Sequence, residues 1–184
     1  QDALVTKPAS LTFEQAAVVP SSSFTALQGL RDHGKVQRGQ KVLINGASGG
    51  VGTFAVQIAK SFGADVTGVC STRNVDLVRT IGADHVIDYT REDYTKSDER
   101  YDVILDIAAN HSLSKCRGVL APRGTYVLIG DSGGRWLGGL SRFIKTSVLS
   151  PFVSQRMRAF VSKPSKADLL ALKELLEVPP RQDS

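Results

Sequence analysis

The sequence predicts an α/β fold, a doubly wound parallel sheet with helices on both faces. Short apolar runs alternate along the chain with segments in which apolar residues recur at helical spacing. This alternation is typical of parallel sheets, whose strands are buried on both faces and read as continuous apolar runs. The length of 184 residues suits one domain with a sizeable core, so we expect a single domain.

Five strands are predicted from apolar runs and a sixth from an alternating pattern. The first run, KVLIN, lies between Gly39 and Gly46, as expected for a buried strand between two turns. In a later segment, RMRAFVS, Met157, Ala159 and Val161 alternate with Arg158 and Phe160. The predicted strands are residues 41–45, 65–70, 85–88, 102–106, 125–129 and 156–162.

Helices are predicted between these strands from apolar spacing and from cap and stop signals. The serine cluster at 21–23 begins the first helix, and glycines at 34, 63 and 82 end the first three. A fourth helix is predicted around residues 112–120. Ser165 and Asp168 have the spacing of a capping box, which opens a last helix through Leu176. We expect residues 1–20 to be a connecting segment and 21–184 to be the domain.

The net charge of +5 comes from one segment. Residues 132–167 carry seven basic side chains and no acidic one, so the rest of the chain has 16 basic against 18 acidic side chains. This distribution argues against a nucleic-acid-binding protein, which needs a broad basic surface. The segment is open to three interpretations: a membrane-surface element, a subunit contact or a solvated lid. We favour a lid next to a homodimer contact at the edge strand 156–162.

Composition excludes several classes of protein. Hydrophobic residues make up 41% of the chain, which excludes intrinsic disorder. Cys70 and Cys116 are the two cysteines and have no C-x-x-C spacing, so we expect a reducing, cytoplasmic location. The uncharged stretch 42–59 contains four glycines and suits a strand, a turn and a helix better than a membrane span.

The most informative motif is the glycine-rich turn NGASGGVG at residues 45–52. It follows a predicted strand and opens a predicted helix, the setting of a dinucleotide-binding fingerprint. Gly49 would allow close approach of a pyrophosphate, and Gly52 would allow the helix to pack against the strand. The helix N-terminus would attract the anion. Ala47 stands where the fingerprint has its first glycine.

The same turn also fits G-x-S-x-G, the nucleophile elbow of α/β-hydrolases, with Ser48 as the nucleophile. That elbow needs several strands and an oxyanion loop upstream, and only 45 residues precede Gly46. The triad also needs an Asp and a His that follow at the ends of later strands. The nearest such pair after Ser48, Asp106 and His111, lies only five residues apart and follows the predicted fourth strand. The dinucleotide interpretation is therefore favoured.

The residues after the second strand indicate which dinucleotide binds. NAD sites place a carboxylate there to hold the ribose 2′-hydroxyl, whereas this chain has no acidic residue between Asp65 and Asp76. Arg73 is suited to a phosphate, and its neighbours add neutral donors. These neighbours are Ser71, Thr72 and Asn74. We therefore expect NADPH as the cofactor.

Three segments together resemble the medium-chain dehydrogenase/reductase superfamily: NGASGGVG, the following TFAVQIAKSFGADVTGV, and GADHVIDY. Within it the chain resembles the zinc-independent quinone oxidoreductase branch, as does the leading LTFEQAAVVPSSSFTALQGL. The resemblance covers nearly the whole chain. It implies a Rossmann fold and transfer of hydride from NADPH to a quinone or to the activated double bond of an enone.

The resemblance also implies which residues contact the cofactor, and they fall into four groups. Thr25 would lie near it, and the pyrophosphate would meet Ala47, Ser48, Gly49, Gly50, Val51 and Gly52. The adenosine phosphate would be surrounded by Ser71, Arg73, Asn74 and Tyr89, and the nicotinamide by Ile107, Ala108, Ile129 and Gly130. Ala109 stands where many relatives carry glycine. Asp106 is interpreted as structural, and no residue is assigned as catalytic.

No zinc is expected from the same comparison. Zinc-dependent members of the superfamily carry a cysteine ligand just before the first helix, where this chain has Ser21–Ser23. The cysteines and histidines show no ligand spacing, and His33 is interpreted as a cation at a helix end.

Complete relatives have a further domain that forms half of the substrate cleft, so we expect this chain to bind NADPH but to reduce little by itself. Two other interpretations remain: part of a zinc-type alcohol dehydrogenase, and a non-catalytic NADPH-binding module.

Overall fold

A computed structural model of the chain describes residues 21–129, 155–163 and 165–177. Its described strands form one six-stranded parallel sheet in the order β3-β2-β1-β4-β5-β6. The strands are β1 (Lys41–Asn45), β2 (Asp65–Cys70), β3 (His85–Asp88), β4 (Tyr101–Asp106), β5 (Leu120–Ile129) and β6 (Arg156–Phe160). The predicted doubly wound parallel sheet is confirmed.

Helices pack on both faces of this sheet. Helix α1 spans residues 21–34 and changes from α to π geometry at Gln28–Gly34. The other helices are α2 (Gly50–Ser61), α3 (Val75–Thr80), α4 (Leu113–Gly118) and α5 (Lys166–Glu177). One buried apolar cluster joins the sheet to α1, α2, α3 and α5, and a second joins it to α4 on the opposite face. No helix in the described ranges is long and apolar enough to cross a membrane.

The predicted boundary between the fourth helix and the fifth strand is wrong. Helix α4 ends at Gly118 rather than at residue 120, and β5 begins at Leu120 rather than at residue 125. The reason is tertiary: Leu120 pairs with Tyr101 of β4, and a register shift follows before Thr125 pairs with Val103. The strand absorbs this shift near Arg123, whose φ is +66°.

The predicted sixth strand is shorter than expected. It ends at Phe160 rather than at residue 162. The expected alternation also fails there, because Phe160 is buried while Val161 is 58% exposed. Strand β6 is the last strand of the sheet in the described part of the chain. Which of its side chains are buried is decided by packing against α1 and not by simple alternation along the strand.

The end of α1 differs in detail from the prediction. The left-handed residue after it is Lys35, with φ +51°, and not Gly34. Gly34 serves close packing instead, because a Cβ there would lie 3.0 Å from Gly29 O and 3.2 Å from Val103 Cγ1. By contrast, Gly63 and Gly82 have φ of +75° and +107°, as expected for helix-terminating glycines.

Helix α5 begins one residue after Ser165, as a capping serine requires, and Asp168 lies in its first turn. Both of its carboxylate oxygens accept hydrogen bonds from α1. Arg31 Nη2 lies 2.6 Å from one oxygen, and Gln28 Nε2 lies 2.7 Å from the other. Asp168 therefore ties α5 to α1.

Candidate functional site

The sheet order places a crevice between β1 and β4. The chain runs outward from β1 through β2 to β3, and then returns to start β4 on the other side of β1. Loops that leave the carboxyl ends of two such strands turn in opposite directions and leave a gap between them, where ligands of doubly wound sheets bind. The glycine turn leaves β1 at this point.

The glycine turn gets its sharp bend from Gly46 rather than from the residue at the first fingerprint position. Gly46 has φ +94°, whereas Ala47 is not among the residues with positive φ. The amides of Gly46 and Ala47 both donate to Val69 O of β2, at 3.2 and 3.0 Å. Ala47 is fully buried and is tolerated because the bend lies one residue earlier.

Close packing at the start of α2 requires Gly52. A Cβ at this position would lie 2.1 Å from Gly46 O and 2.7 Å from Ala47 Cα. No side chain fits at those distances, so the helix reaches the turn only with glycine here. The predicted role of Gly52 in helix–strand packing agrees with this geometry.

The N-terminus of α2 presents backbone N–H groups that the helix itself does not use. The first intrahelical bond runs from Thr53 N to Gly49 O, so the amides of Gly50, Val51 and Gly52 precede the helical ladder. Gly49 provides no side-chain cap, and the first turn has no acidic residue. A helix end of this kind binds an anion through its free amides and its dipole.

Helix α1 begins beside the same turn. A Cβ at Gly50 would lie 3.2 Å from Ser22 Oγ. One turn further, the buried Thr25 hydroxyl donates to Ser21 O at 2.9 Å and lies 2.7 Å from Ser162 Oγ, just beyond β6. Thr25 therefore lies at the carboxyl edge of the sheet, where the cofactor contact was expected.

The loop after β2 is joined to the glycine turn by Asn74. Its side-chain amide donates to Ser48 Oγ at 3.0 Å and to Ser71 Oγ at 3.2 Å. Ser48 Oγ therefore accepts from an amide, whereas the serine of a nucleophile elbow donates its proton to a histidine. Within the described residues no histidine is a partner of Ser48, which disfavours the nucleophile elbow. The two loops together form one wall of the crevice.

Arg73 and Tyr89 flank this wall with exposed side chains. Arg73 lies in a 3₁₀ turn, Thr72–Asn74, and makes no ion pair within the described residues. Tyr89 follows β3 and is 55% exposed. A guanidinium and a phenol hydroxyl that both face solvent at one edge are available to a phosphate.

Sequence reasoning missed Asp88, which closes β3 next to this wall. It accepts from Thr72 Oγ1 at 2.6 Å, from Thr90 Oγ1 at 2.8 Å and from Thr90 N at 3.0 Å. The hydrogen bond from Thr72 in particular holds the pKa of Asp88 below its ordinary value, so a negative charge persists here. The sequence does not show that β2 and β3 are neighbours in the sheet. Because the carboxyl ends of neighbouring parallel strands lie at the same edge, that pairing would have placed Asp88 beside the loop after β2.

On the β4 side of the crevice, residues 107–110 form a short loop that lies against the glycine turn. A Cβ at Gly46 would lie 3.4 Å from Ile107 Cβ and 3.6 Å from Ala108 Cβ. The structure thus brings these two predicted contacts next to the turn. Ile129 lies further along the same edge, paired with Phe160, and Gly130 lies outside the described residues.

A buried polar network supports that loop. Asp106 is completely buried and accepts from Asn45 Nδ2 at 2.8 Å, from Ala109 N at 2.8 Å and from Tyr126 Oη at 2.6 Å. Tyr94 Oη lies 3.5 Å from Asn45 Nδ2, and burial raises the pKa of Tyr94. These contacts agree with the structural interpretation of Asp106.

Within the described ranges, no group of three or more His, Cys, Asp or Glu side chains could hold a metal ion. The structure disfavours the interpretation of His33 as a helix-end cation. Its ring stacks on Phe160 with centroids 4.2 Å apart, and burial lowers its pKa, which disfavours the charged form. Of the basic segment, residues 132–154 lie outside the described part, whereas Arg156, Arg158, Lys163 and Lys166 lie within it.

The fold and this edge define a dinucleotide-binding domain of the Rossmann class: the strand order 3-2-1-4-5-6 and a glycine turn that opens a helix at the switch point. Residues 50–147 match the family described as zinc-binding dehydrogenase. The match covers more than half of the chain, which therefore belongs to this family, within the medium-chain dehydrogenase/reductase superfamily. The resemblance read from the sequence is confirmed.

Individual relatives agree with this assignment. The mitochondrial NAD(P)H oxidoreductase RTN4IP1 of Mus musculus is 49% identical over 107 residues, 54% of this chain and 27% of the relative. The 2-methylene-furan-3-one reductase of Solanum lycopersicum is 30% identical over 163 residues, 82% of this chain and 42% of the relative. The quinone oxidoreductase of Coxiella burnetii superposes with a TM-score of 0.79 at 27% identity, covering 94% of this chain and 51% of that one.

These relatives are oxidoreductases, and the family is NAD(P)H-dependent. The chain spans about half the length of these relatives or less. The choice between the two nucleotides, the hydride acceptor, the dimer and the cytoplasmic location stay predictions.

Proposed function

We propose that this chain is the NADPH-binding domain of a zinc-independent reductase that transfers hydride to a quinone or an enone. The observation that carries the proposal is the wall after β2, where Arg73, without an ion pair to any described residue, stands at the position at which NAD sites carry a carboxylate. A guanidinium at this position favours a cofactor with a 2′-phosphate, because it adds charge-assisted hydrogen bonds that the 2′-hydroxyl of NADH cannot match.

The residues at the crevice fit the three parts of such a cofactor. The free amides of Gly50, Val51 and Gly52 would bind the pyrophosphate, since they lack helical partners. Arg73 with its neighbours Ser71, Asn74 and Tyr89 would hold the adenosine 2′-phosphate. Ile107 and Ala108 would face the nicotinamide with apolar side chains. When bound, the cofactor supplies a hydride, and the residues of this chain bind and orient it.

Among the described residues, Asp88 is a negative charge beside this wall that opposes the assignment. A carboxylate close to the 2′-phosphate would repel it, whereas one free to turn would suit the ribose of NADH. Its oxygens are already engaged by Thr72 and Thr90, and Arg91 Nε lies 3.5 Å from one of them. We therefore assign Asp88 to joining the loops after β2 and β3 rather than to the cofactor.

The acceptor class is inferred from relatives and not from this chain's residues. Among the relatives, one is named for a quinone and another for a 2-methylene-furan-3-one, and both names denote a double bond conjugated to a carbonyl. The zinc-free part of the proposal is supported by Ser21–Ser23 at the start of α1, since serine is a poor zinc ligand compared with thiolate.

We also propose that two copies of the chain pair through β6. It is the outermost described strand on its side of the sheet. No other described strand pairs with its outer edge, so the backbone groups of that edge are available to β6 of a second copy. The cytoplasmic location remains part of the same proposal and follows from the cysteine pattern alone.

The proposal is tested by titrating the chain with NADPH and with NADH, and by repeating both titrations with Arg73→Ala. We expect wild type to bind NADPH more tightly. Arg73→Ala should lose about tenfold in NADPH affinity and nothing in NADH affinity, because a hydrogen bond to a charged group contributes about 1.5–3 kcal/mol.

Arg38→Ala is the matched control. Arg38 is also exposed, but it lies before β1 at the amino edge of the sheet, and its removal should leave both affinities unchanged. Equal affinity of wild type for the two nucleotides, or no effect of Arg73→Ala, would refute the NADPH assignment.

A further inference from the structure

The polar network beneath the crevice is built around a carboxylate that the proposed function does not use. We call it the Asp106 network: Asp106, Asn45, Asn110, Tyr94 and Tyr126. Asp106 is fully buried, and Asn45 and Tyr126 are 2% and 1% exposed. Asn45 and Asp106 are direct partners at the last pair of β1 and β4. The network therefore lies under the switch point, on the face of the sheet that packs against α4.

Each residue of the loop 107–110 is bound to this network. The amides of Ile107 and Ala108 donate to Asn45 O, at 3.0 and 3.3 Å. The next amide, that of Ala109, donates to Asp106 Oδ1 at 2.8 Å. The Asn45 side chain then donates to Asn110 Oδ1 at 2.8 Å. Two residues thus fix four consecutive positions: Asn45 through its carbonyl oxygen and its side chain, and Asp106 through its carboxylate.

The loop would not keep this shape through its own backbone preferences. Ala109 has φ +50°, a left-handed conformation that a residue with a Cβ adopts at a cost. The hydrogen bond to Asp106 offsets this cost at the same residue. The other side of the loop faces the crevice, where Ile107 and Ala108 lie against Gly46.

From this geometry we infer that Asp106 is a positioning residue that holds the loop 107–110 in the shape that receives the nicotinamide half of the cofactor. Asn45 transmits the constraint to both ends of the loop. Tyr126, which donates to the second oxygen of Asp106 at 2.6 Å, fixes the carboxylate itself. The inference rests on the proposed function, because it names the residues that shape one half of that site.

Comparing a ligand that has only the adenosine half of the cofactor with the full cofactor distinguishes this positioning role from a general effect on folding. Adenosine 2′,5′-bisphosphate carries the 2′-phosphate but no nicotinamide, so it tests the wall after β2 and not the loop 107–110. The full chain and its variant Asp106→Asn are titrated with this ligand and with NADPH. Asn keeps the size of the side chain but removes the charge and one acceptor.

We expect Asp106→Asn to lose about tenfold in NADPH affinity, while its affinity for adenosine 2′,5′-bisphosphate changes by less than about twofold. Tyr126→Phe removes the hydroxyl that donates to Asp106. It should produce the same selective loss at smaller size, and it serves as the test if Asp106→Asn does not fold.

Tyr101→Phe is the matched control. Tyr101 is equally buried, and its hydroxyl bonds to Thr67, but it begins β4 at the opposite edge of the sheet. This variant should lower the melting temperature without changing either affinity.

The inference is overturned if both ligands weaken by the same factor in Asp106→Asn and Tyr126→Phe, or if neither weakens. It is also overturned if wild type binds adenosine 2′,5′-bisphosphate as tightly as NADPH, because the loop then contributes nothing to binding. Failure of wild type to bind either ligand would refute the proposed function itself.

Discussion

Gly52 lies in the first turn of α2 with its Cα facing the carbonyl oxygen of Gly46. The 2.1 Å between that oxygen and a Cβ at position 52 leaves no room for any other residue, since the neighbour is backbone and cannot rotate away. Gly118 offers the opposite case within the same molecule. It ends α4, and a Cβ there would have no heavy atom within 4 Å.

Alanine at these two glycines should therefore have opposite effects on stability. Gly52→Ala forces the glycine turn away from α2 and should lower the free energy of unfolding by about 1–3 kcal/mol or more. It should also abolish NADPH binding. Gly118→Ala should raise the free energy of unfolding by about 0.5–1 kcal/mol, because alanine favours a helix over glycine. Urea denaturation and NADPH titration of both variants test this, and equal effects at the two positions would contradict it.

The conformation of single residues also explains why alanine at the first glycine position of the fingerprint does not disturb the turn. Ala47 replaces the first glycine, yet the left-handed bend lies at Gly46. Ala47 instead packs its Cβ toward β2, where a Cβ at Gly68 would lie 3.1 Å away. The sequence motif marks the turn correctly, but the conformation of each position in it follows from contacts between strands.

At the scale of elements, a ring stack and a buried carboxylate contribute to the joint between α1, β6 and α5. His33 of α1 stacks on Phe160 of β6, and Asp168 of α5 bonds to Gln28 and Arg31 of α1. Burial is the main cause that lowers the pKa of His33, with a smaller lowering by Arg158 and an opposing effect of Asp32.

This shift predicts how acid affects the joint. The unfolded chain binds a proton at His33 with the ordinary pKa of 6.5, whereas the folded chain binds it more weakly. The stabilising contribution of neutral His33 is therefore complete above that value, and it is lost progressively as the pH falls below it. His33→Phe keeps the stack and cannot titrate.

We expect the melting temperature of wild type to fall more than that of His33→Phe between about pH 7.5 and about pH 5.5. Thermal unfolding of both proteins at the two pH values measures the difference. The same fall in both would mean that His33 is not the group responsible.

Apolar runs located most elements well, and tertiary pairing decided the rest. The first three strands were predicted at their observed bounds, because each is a continuous apolar run between turns. The start of β5 was missed because Leu120 becomes a strand residue only through pairing with Tyr101. At the site, the glycine turn was found from local spacing, whereas Asp88 and the Asp106 network join distant segments and leave no local pattern.

At the scale of the whole molecule, the cation assigned to the cofactor is not one of those that produce the net charge. The net charge of +5 comes from the segment 132–167, whereas the cation assigned to the cofactor is Arg73, at the end of β2. The glycine turn, the loop 71–74 and the loop 107–110 all leave the carboxyl edge of one sheet. A single extended ligand that spans these three loops is the account's central claim.

Backbone amide shifts measured by NMR during titration of the 19.7 kDa chain test that claim most directly. We predict that NADPH moves the amides of residues 49–52, 71–74 and 107–110 together with one saturation curve, while Gly39 and Gly63 at the opposite edge stay fixed. NADH should leave residues 71–74 least affected. No saturable shift, or shifts confined to residues outside these three loops, would contradict the account.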